Sequence, residues 1–159
     1  MSKENKTNAM RKLDSMKIEY KEHYYTNTGA VNGVDVAQTL GQNPEQVFKT
    51  LVTVGKSGSH YVFLVPVAKE LDLKKAAATV GEKAVAMVKS KELLGLTGYI
   101  HGGCSPIGMK KMFHTTVHKT AQNFETILFS GGKIGFQIEL SADILKTVVP
   151  FEFADIIRD

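Results

Sequence analysis

Lys49-Thr50-Leu51-Val52-Thr53-Val54, the turn Gly55-Lys56-Ser57-Gly58-Ser59, and His60-Tyr61-Val62-Phe63-Leu64-Val65-Pro66-Val67 decide the fold. The first run is short and β-branched. The second is mostly apolar. The segment between them holds two glycines and two serines. Runs of this kind joined by so short a turn read as a β-hairpin.

Working back towards the N-terminus, a turn spans Pro44 to Phe48, and Val36, Ala37 and Leu40 sit at helical spacing before Gly41. Asn27-Thr28-Gly29 and Asn32-Gly33 mark a loop, and Ile18 to Tyr25 reads as extended. Ala9, Leu13 and Met16 give an amphipathic helix over Asn8 to Met16. Working forward, Asp72 is placed to cap a helix with Leu73, Ala76, Ala77 and Val80 inward, stopped by Gly81. Lys83 to Val88 reads as a short strand, and Ser90 as the cap of a helix through Leu94. Phe113 to Val117 is a strand. Thr126 to Phe129 and Ile134 to Leu140 form a hairpin about Ser130-Gly131-Gly132-Lys133. Ser141 caps a last helix with Ile144, Leu145 and Val148 inward. Helices fall between strands without a strict βαβ rhythm. That pattern predicts one α+β domain over residues 1–159, a mixed sheet curled towards a barrel with flanking helices.

Composition narrows the function classes. The 159 residues are 43% hydrophobic and 23% charged, as in an ordinary globular protein. No stretch is apolar for long enough to span a bilayer, and residues 1–11 lack the apolar segment of a signal peptide, so a cytoplasmic location is expected. The single cysteine, Cys104, excludes an intramolecular disulfide and a cysteine-based zinc site. The net charge of +4 permits a polyanionic partner. Its distribution is more telling: from Tyr99 to Phe124 there is no Asp or Glu, while Lys110, Lys111, Lys119, His101, His114 and His118 all fall there. The window is either a surface attractive to phosphate or a solvated lysine face.

Four features carry candidate chemistry. Lys49 opens an apolar strand, where its charge must either snorkel out or face a polar cavity; in a cavity it would meet a phosphate or a developing oxyanion. His101-Gly102-Gly103-Cys104-Ser105-Pro106-Ile107-Gly108 is a tight loop of little side-chain bulk, open to backbone contact with a ligand, or simply structural. It fits neither a Walker A nor a dinucleotide-binding spacing. Ser130-Gly131-Gly132 is a hairpin turn that also offers a hydroxyl and two amides. Cys104 has His101 nearby but no cysteine-protease signature, so a small buried or loop thiol is expected. His114 and His118 are four apart, but Thr115-Thr116-Val117 favours a strand, which spoils a two-ligand helical face; no metal is expected.

Taken together, Pro44-Glu45-Gln46-Val47-Phe48-Lys49-Thr50-Leu51, Leu71-Asp72-Leu73-Lys74-Lys75, Thr97-Gly98-Tyr99, Gly102 to Gly108, Ser130-Gly131-Gly132-Lys133 and Phe153-Ala154-Asp155-Ile156 resemble the YbaK/EbsC family, in family order and over nearly the whole chain. The resemblance implies a fold of the prolyl-tRNA synthetase editing type and hydrolysis of mischarged aminoacyl-tRNA, mainly Cys-tRNA(Pro). It implies an essential lysine at Lys49, with substrate contacts from Thr50, Tyr25, Gly102, Gly103, Ser105, Pro106, Gly108, Ser130, Gly131 and Gly132, and no cofactor. It implies the CCA end of tRNA as partner, work beside prolyl-tRNA synthetase, and no role for DNA or a membrane. Family precedent also implies that the substrate's own thiol attacks its carbonyl. Two positions depart from the family pattern. Gln137 stands where an aspartate is common, and Asn32 where a pocket aromatic is common. Both bear on amino-acid preference rather than on reaction class.

An aminoacyl ester is already activated, so positioning and charge stabilisation suffice. On this reading Lys49 holds the terminal phosphate or the carbonyl region. Carbonyls of the Gly102–Gly108 loop take the ammonium, and Ser130 with the Gly131 and Gly132 amides orients the ribose and carbonyl. The alternatives are a deacylase for alanine or another small residue, a non-catalytic tRNA-binding module, and a catalytically dead editing fold.

Overall fold

The computed structural model describes residues 6–25 and 33–159. The expected hairpin forms as β2 (Phe48–Gly55) and β3 (His60–Pro66), in the register Lys49↔Val65 and Val52↔Val62. It lies at the heart of a five-stranded sheet of order β4-β2-β3-β5-β8, with β4 (Val85–Met87), β5 (His114–His118) and β8 (Phe151–Ala154). The β4, β2 and β3 pairings are antiparallel, while β3–β5 and β5–β8 are parallel. A second, wholly antiparallel sheet runs β1-β7-β6, from β1 (Lys21–Tyr24), β7 (Phe136–Leu140) and β6 (Ile127–Ser130).

The alternation along β3 explains its apolar run. Val62 and Leu64 face the main core with Phe129, Ile138 and Leu13, whereas Phe63 and Val65 face a second core under Ala76 and Ala77. A strand covered on both faces has no polar side.

Among the described residues five α-helices complete the domain, α1 (Asn8–Ser15), α2 (Gly33–Thr39), α3 (Leu73–Val80), α4 (Ser90–Thr97) and α5 (Ala142–Val148), with a 3-10 turn at Lys119–Asn123. Their caps follow the sequence. Asp72 Oδ1 accepts from Lys74 N at 2.9 Å and Lys75 N at 3.0 Å, and Ser141 Oγ accepts from Ile144 N at 3.1 Å. A side-chain cap of this type contributes about 1 kcal/mol. Thr7 caps α1 and also donates its hydroxyl to the Gly131 carbonyl, which ties that helix to the 130–133 turn.

Several expectations need correcting. Ser90 is the first residue of α4, and Lys89 precedes it without a side-chain cap. Leu73 and Ile144, expected inward, are 38% and 41% exposed; the short helices touch the core through Ala76 and Ala77, and through Leu145 and Val148. The strand β8 adds an edge that short local patterning did not mark. The barrel does not close. Between the two sheets runs a single parallel bridge, Val47↔Leu128, beside which the Gln46 amide donates to the Thr126 carbonyl at 2.8 Å. Beyond that seam β2 and β6 part around a cleft. The loop signals over residues 27–32 lie outside the described residues, apart from Gly33. A Cβ at Gly33 would come 2.4 Å from Val67 Cγ1, so α2 can begin there only because the residue is glycine.

Candidate active site

The cleft has a volume of about 740 Å³, within the range of small-molecule sites. Its floor is consecutive: Val47, Phe48, Lys49, Thr50, Leu51 and Val52 all line it. Neighbours on a strand normally point to opposite faces, so the cleft must wrap the edge of β2. The hydrogen bonds show why. Val67 N donates to Val47 O at 2.8 Å and Gly55 N to Ser59 O at 2.7 Å. These bonds fix the odd-numbered residues of β2 as the ones whose backbone pairs with β3. The even-numbered ones turn their N–H and C=O to the other edge. There β4 pairs with Thr53 to Gly55, and Val88 N reaches Val52 O at 3.1 Å, after which cover stops. The main-chain groups of Thr50 therefore open towards the cleft.

Lys49 leaves this edge with its side chain 30% exposed, and its Nζ is 4.0 Å from Oε1 of Glu70, itself 73% exposed. So loose and solvated a pair contributes little and leaves the ammonium able to meet an anion. Beside it, the Thr50 hydroxyl is buried and has no hydrogen-bond partner among the described residues. Buried polar groups are normally paired; the hydroxyls of Thr116 and Thr120, outside the cleft, are in the same state.

Of the residues expected in the site, Lys49, Thr50, Tyr25, Gly102 and Ser130 share this lining. Gly103, Ser105, Pro106, Gly108, Gly131 and Gly132 do not. Their glycines serve packing. A Cβ at Gly103 would lie 3.0 Å from Ile134 N; at Gly132, with φ +101°, it would lie 2.9 Å from Tyr99 Cε1; at Gly108, with φ +80°, 2.8 Å from Tyr99 Oη. The two glycine segments thus lock against each other and against Tyr99, whose hydroxyl donates to Ile107 O at 2.5 Å. The amides of Gly131 and Gly132 are committed internally, to Phe136 O at 2.8 Å and to Ser130 Oγ at 3.1 Å. They are not the donors expected for a ribose or carbonyl. Ser130 Oγ accepts from Gly132, so its own proton is left to donate. Ser105 is buried and its Oγ accepts from Ile107 N at 3.3 Å. Pro106 and Gly108 line a separate depression of about 180 Å³ with Lys12, Lys111 and Met112.

The sequence did not single out the rest of the wall. Met87 and Ile134, 45% and 50% exposed, give it an apolar rim, and Val34 and Val36 bring α2 to it. Gln137 is 3% exposed and pairs with Gln42 through two amide bonds of 2.7 and 3.1 Å, a neutral clamp between β7 and the chain after α2. Asn32 lies outside the described residues. Cys104 also lines the cleft, but burial pushes its thiol up to about 12. It stays protonated at neutral pH and cannot act as a nucleophile.

The acid-free window does not form one surface. Lys110, Lys111 and Lys119 are exposed and His101 lines the cleft, but His118 is 2% exposed, with Nδ1 accepting from Ile156 N at 3.3 Å. Burial lowers its pKa. Among the described residues no three His, Cys, Asp or Glu side chains gather into a metal-holding group, and no helix is long and apolar enough to cross a membrane.

The sequence pattern of the aminoacyl-tRNA editing domain family matches residues 29–147, most of the chain and every cleft element from α2 to β7. The chain belongs to the aminoacyl-tRNA editing domain family. A candidate Cys-tRNA(Pro)/Cys-tRNA(Cys) deacylase of Enterococcus faecalis, EbsC, is 44% identical over 152 residues, 95% of this chain and 93% of that protein. The crystal structure of a candidate trans-editing enzyme for prolyl-tRNA synthetase superposes with a TM-score of 0.86 at 24% identity, covering 96% of each chain. A scaffold protein used in computational epitope grafting does so at 0.85 and 23% identity, again over 96% of each. Those two likenesses show the fold. Family membership makes the chain an aminoacyl-tRNA deacylase, a hydrolase of the aminoacyl ester.

Proposed function

We propose that this editing domain acts in trans on Cys-tRNA(Pro), releasing cysteine from the CCA end, in the cytoplasm and beside prolyl-tRNA synthetase. The observation that carries the reading is that Lys49 lines the cleft together with Thr50, Gly102 and Ser130. No Asp or Glu lines that cleft among the described residues; the carboxylate of Glu70, 4.0 Å from Lys49 Nζ, lies outside the lining. Lys49 stabilises that phosphate or the oxyanion that develops on the ester carbonyl. Thr50 supplies an unpartnered hydroxyl and main-chain groups turned to the substrate. Ser130 donates its free proton to the ribose or the carbonyl. The Gln42–Gln137 pair gives the wall a neutral polar patch suited to a small uncharged side chain. The likeness to the Enterococcus faecalis Cys-tRNA(Pro)/Cys-tRNA(Cys) deacylase candidate supports the choice of cysteine and tRNA(Pro).

The test is deacylation of Cys-tRNA(Pro), Ala-tRNA(Pro), Ser-tRNA and Pro-tRNA(Pro) side by side. The proposal expects the cysteinyl ester to be cleaved fastest and the cognate prolyl ester to survive. Faster cleavage of the alanyl ester would transfer the assignment to alanine.

A further inference from the structure

An ester exchange of this kind moves a proton twice. The attacking thiol or water loses one as its bond to the carbonyl carbon forms, and the ribose oxygen gains one as the C–O bond breaks. The cleft offers few groups for that task. Among the described residues its titratable lining side chains are those of Tyr25, Lys49, His101 and Cys104, with no carboxylate. Phenols and ammonium groups as classes carry their protons at neutral pH, and the Cys104 thiol is pushed up to about 12 by burial. Imidazole is the side chain that takes and returns a proton there.

The backbone under His101 is held in place. Gly103 N donates to Ile100 O at 3.0 Å, which closes a four-residue turn with His101 and Gly102 at its corners, and Gly102 has φ +86°. Before the turn, Tyr99 is pinned through its hydroxyl to Ile107 O and through its N–H to Thr97 Oγ1 at 3.0 Å. After it, Gly103 abuts the backbone of Lys133 and Ile134. His101 thus sits on a fixed corner of the backbone, is exposed, and lines the cleft.

We propose that His101 is the proton-transfer residue of the deacylation. Its imidazole accepts the proton of the attacking S–H or O–H group as that atom bonds to the carbonyl carbon. It then delivers the proton to the departing ribose oxygen as the carbon–oxygen bond breaks. The assignment rests on the deacylase reading of the cleft. The charged and titratable groups that share the lining with His101 are Lys49, Tyr25 and Cys104, and Lys133 sits on the turn that abuts Gly103.

The experiment is single-turnover and steady-state deacylation of Cys-tRNA(Pro) by wild type, His101→Gln and His101→Ala across pH, with melting curves for each. The expected result is a loss of about 10²-fold in kcat with KM and melting temperature unchanged. The acidic limb of the pH profile disappears, and added free imidazole partly restores the Ala variant. An active wild type whose His101 variants match it in rate and pH profile overturns this assignment alone. So does a rise in KM at constant kcat, which marks His101 as an RNA contact. A wild type inactive on every charged tRNA tested overturns the substrate reading and this assignment with it.

Discussion

The edge of β2 and the two glycine segments meet at the same cleft but do different work. Six consecutive residues of the edge, Val47 to Val52, reach the lining, and they bring a cation, a hydroxyl without a partner and main-chain groups that β4 leaves uncovered. The glycine segments contribute only Gly102, Cys104 and Ser130, besides His101 at the first segment's start and Ile134 just past the second. Most of their length is packed inward, Gly103 on Ile134, Gly132 on Tyr99 and Thr7. The strand edge presents the cation and most of the polar groups, and the glycine segments add His101 and Ser130. The loops are glycine-rich because they must approach one another, and they hold the corners of the site in place.

Substitutions on the two sides should therefore separate activity from stability. The largest expected effect is on the strand edge: Lys49→Ala should cut deacylation by about 10²- to 10³-fold at an unchanged melting temperature. A variant that kept full rate would break the distinction. Next, Gly132→Ala should destabilise the fold by about 2 kcal/mol in urea denaturation, because a Cβ there meets Tyr99 at positive φ, while rate per folded molecule stays near wild type. A stable but inactive variant would move the turn into the catalytic machinery. Thr50→Val keeps the shape and removes a buried hydroxyl with no partner. It should leave stability unchanged or slightly raised and slow deacylation about 10-fold, roughly the value of one good hydrogen bond. Equal rates would mean that the hydroxyl does not touch substrate.

The smallest effect concerns the scaffold alone. Burial lowers the pKa of His118, so near its ordinary titration the unfolded chain binds more protons than the folded one. The stability this neutral ring contributes is present above about pH 6.5 and is lost as pH falls through the folded value. Urea midpoints should drop between pH 7.5 and 5.5, and His118→Gln should drop less. Equal drops would assign the acid sensitivity to other groups.

Much of this was legible in the sequence for physical reasons that differ by element. The β2–β3 hairpin and the β6–β7 hairpin announce themselves through strand composition and glycine turns. The caps at Asp72 and Ser141 follow from side-chain chemistry at fixed offsets. The short β8 stayed hidden because its strandedness comes from parallel pairing with β5, a contact between distant segments. The open barrel was hidden for the same reason, since one bridge at Val47 decides it. At the site, Lys49 and Thr50 were marked by their motif. The fate of the Gly131 and Gly132 amides was not, because it depends on how the turn folds back on Ser130 and Phe136. Met87 and Ile134 carry no sequence signal at all; they are rim residues because of where β4 ends and the 130–133 turn abuts.

On the proposed reading the aminoacyl end of tRNA sits against the uncovered edge of β2. Amide chemical shifts recorded during titration with a non-hydrolysable 3′-cysteinylamino-3′-deoxyadenosine test it most directly. The largest perturbations are expected at Lys49, Thr50, Gly102 and Ser130. Perturbations confined to the depression around Lys12, Lys111 and Met112, with the β2 edge silent, would contradict it.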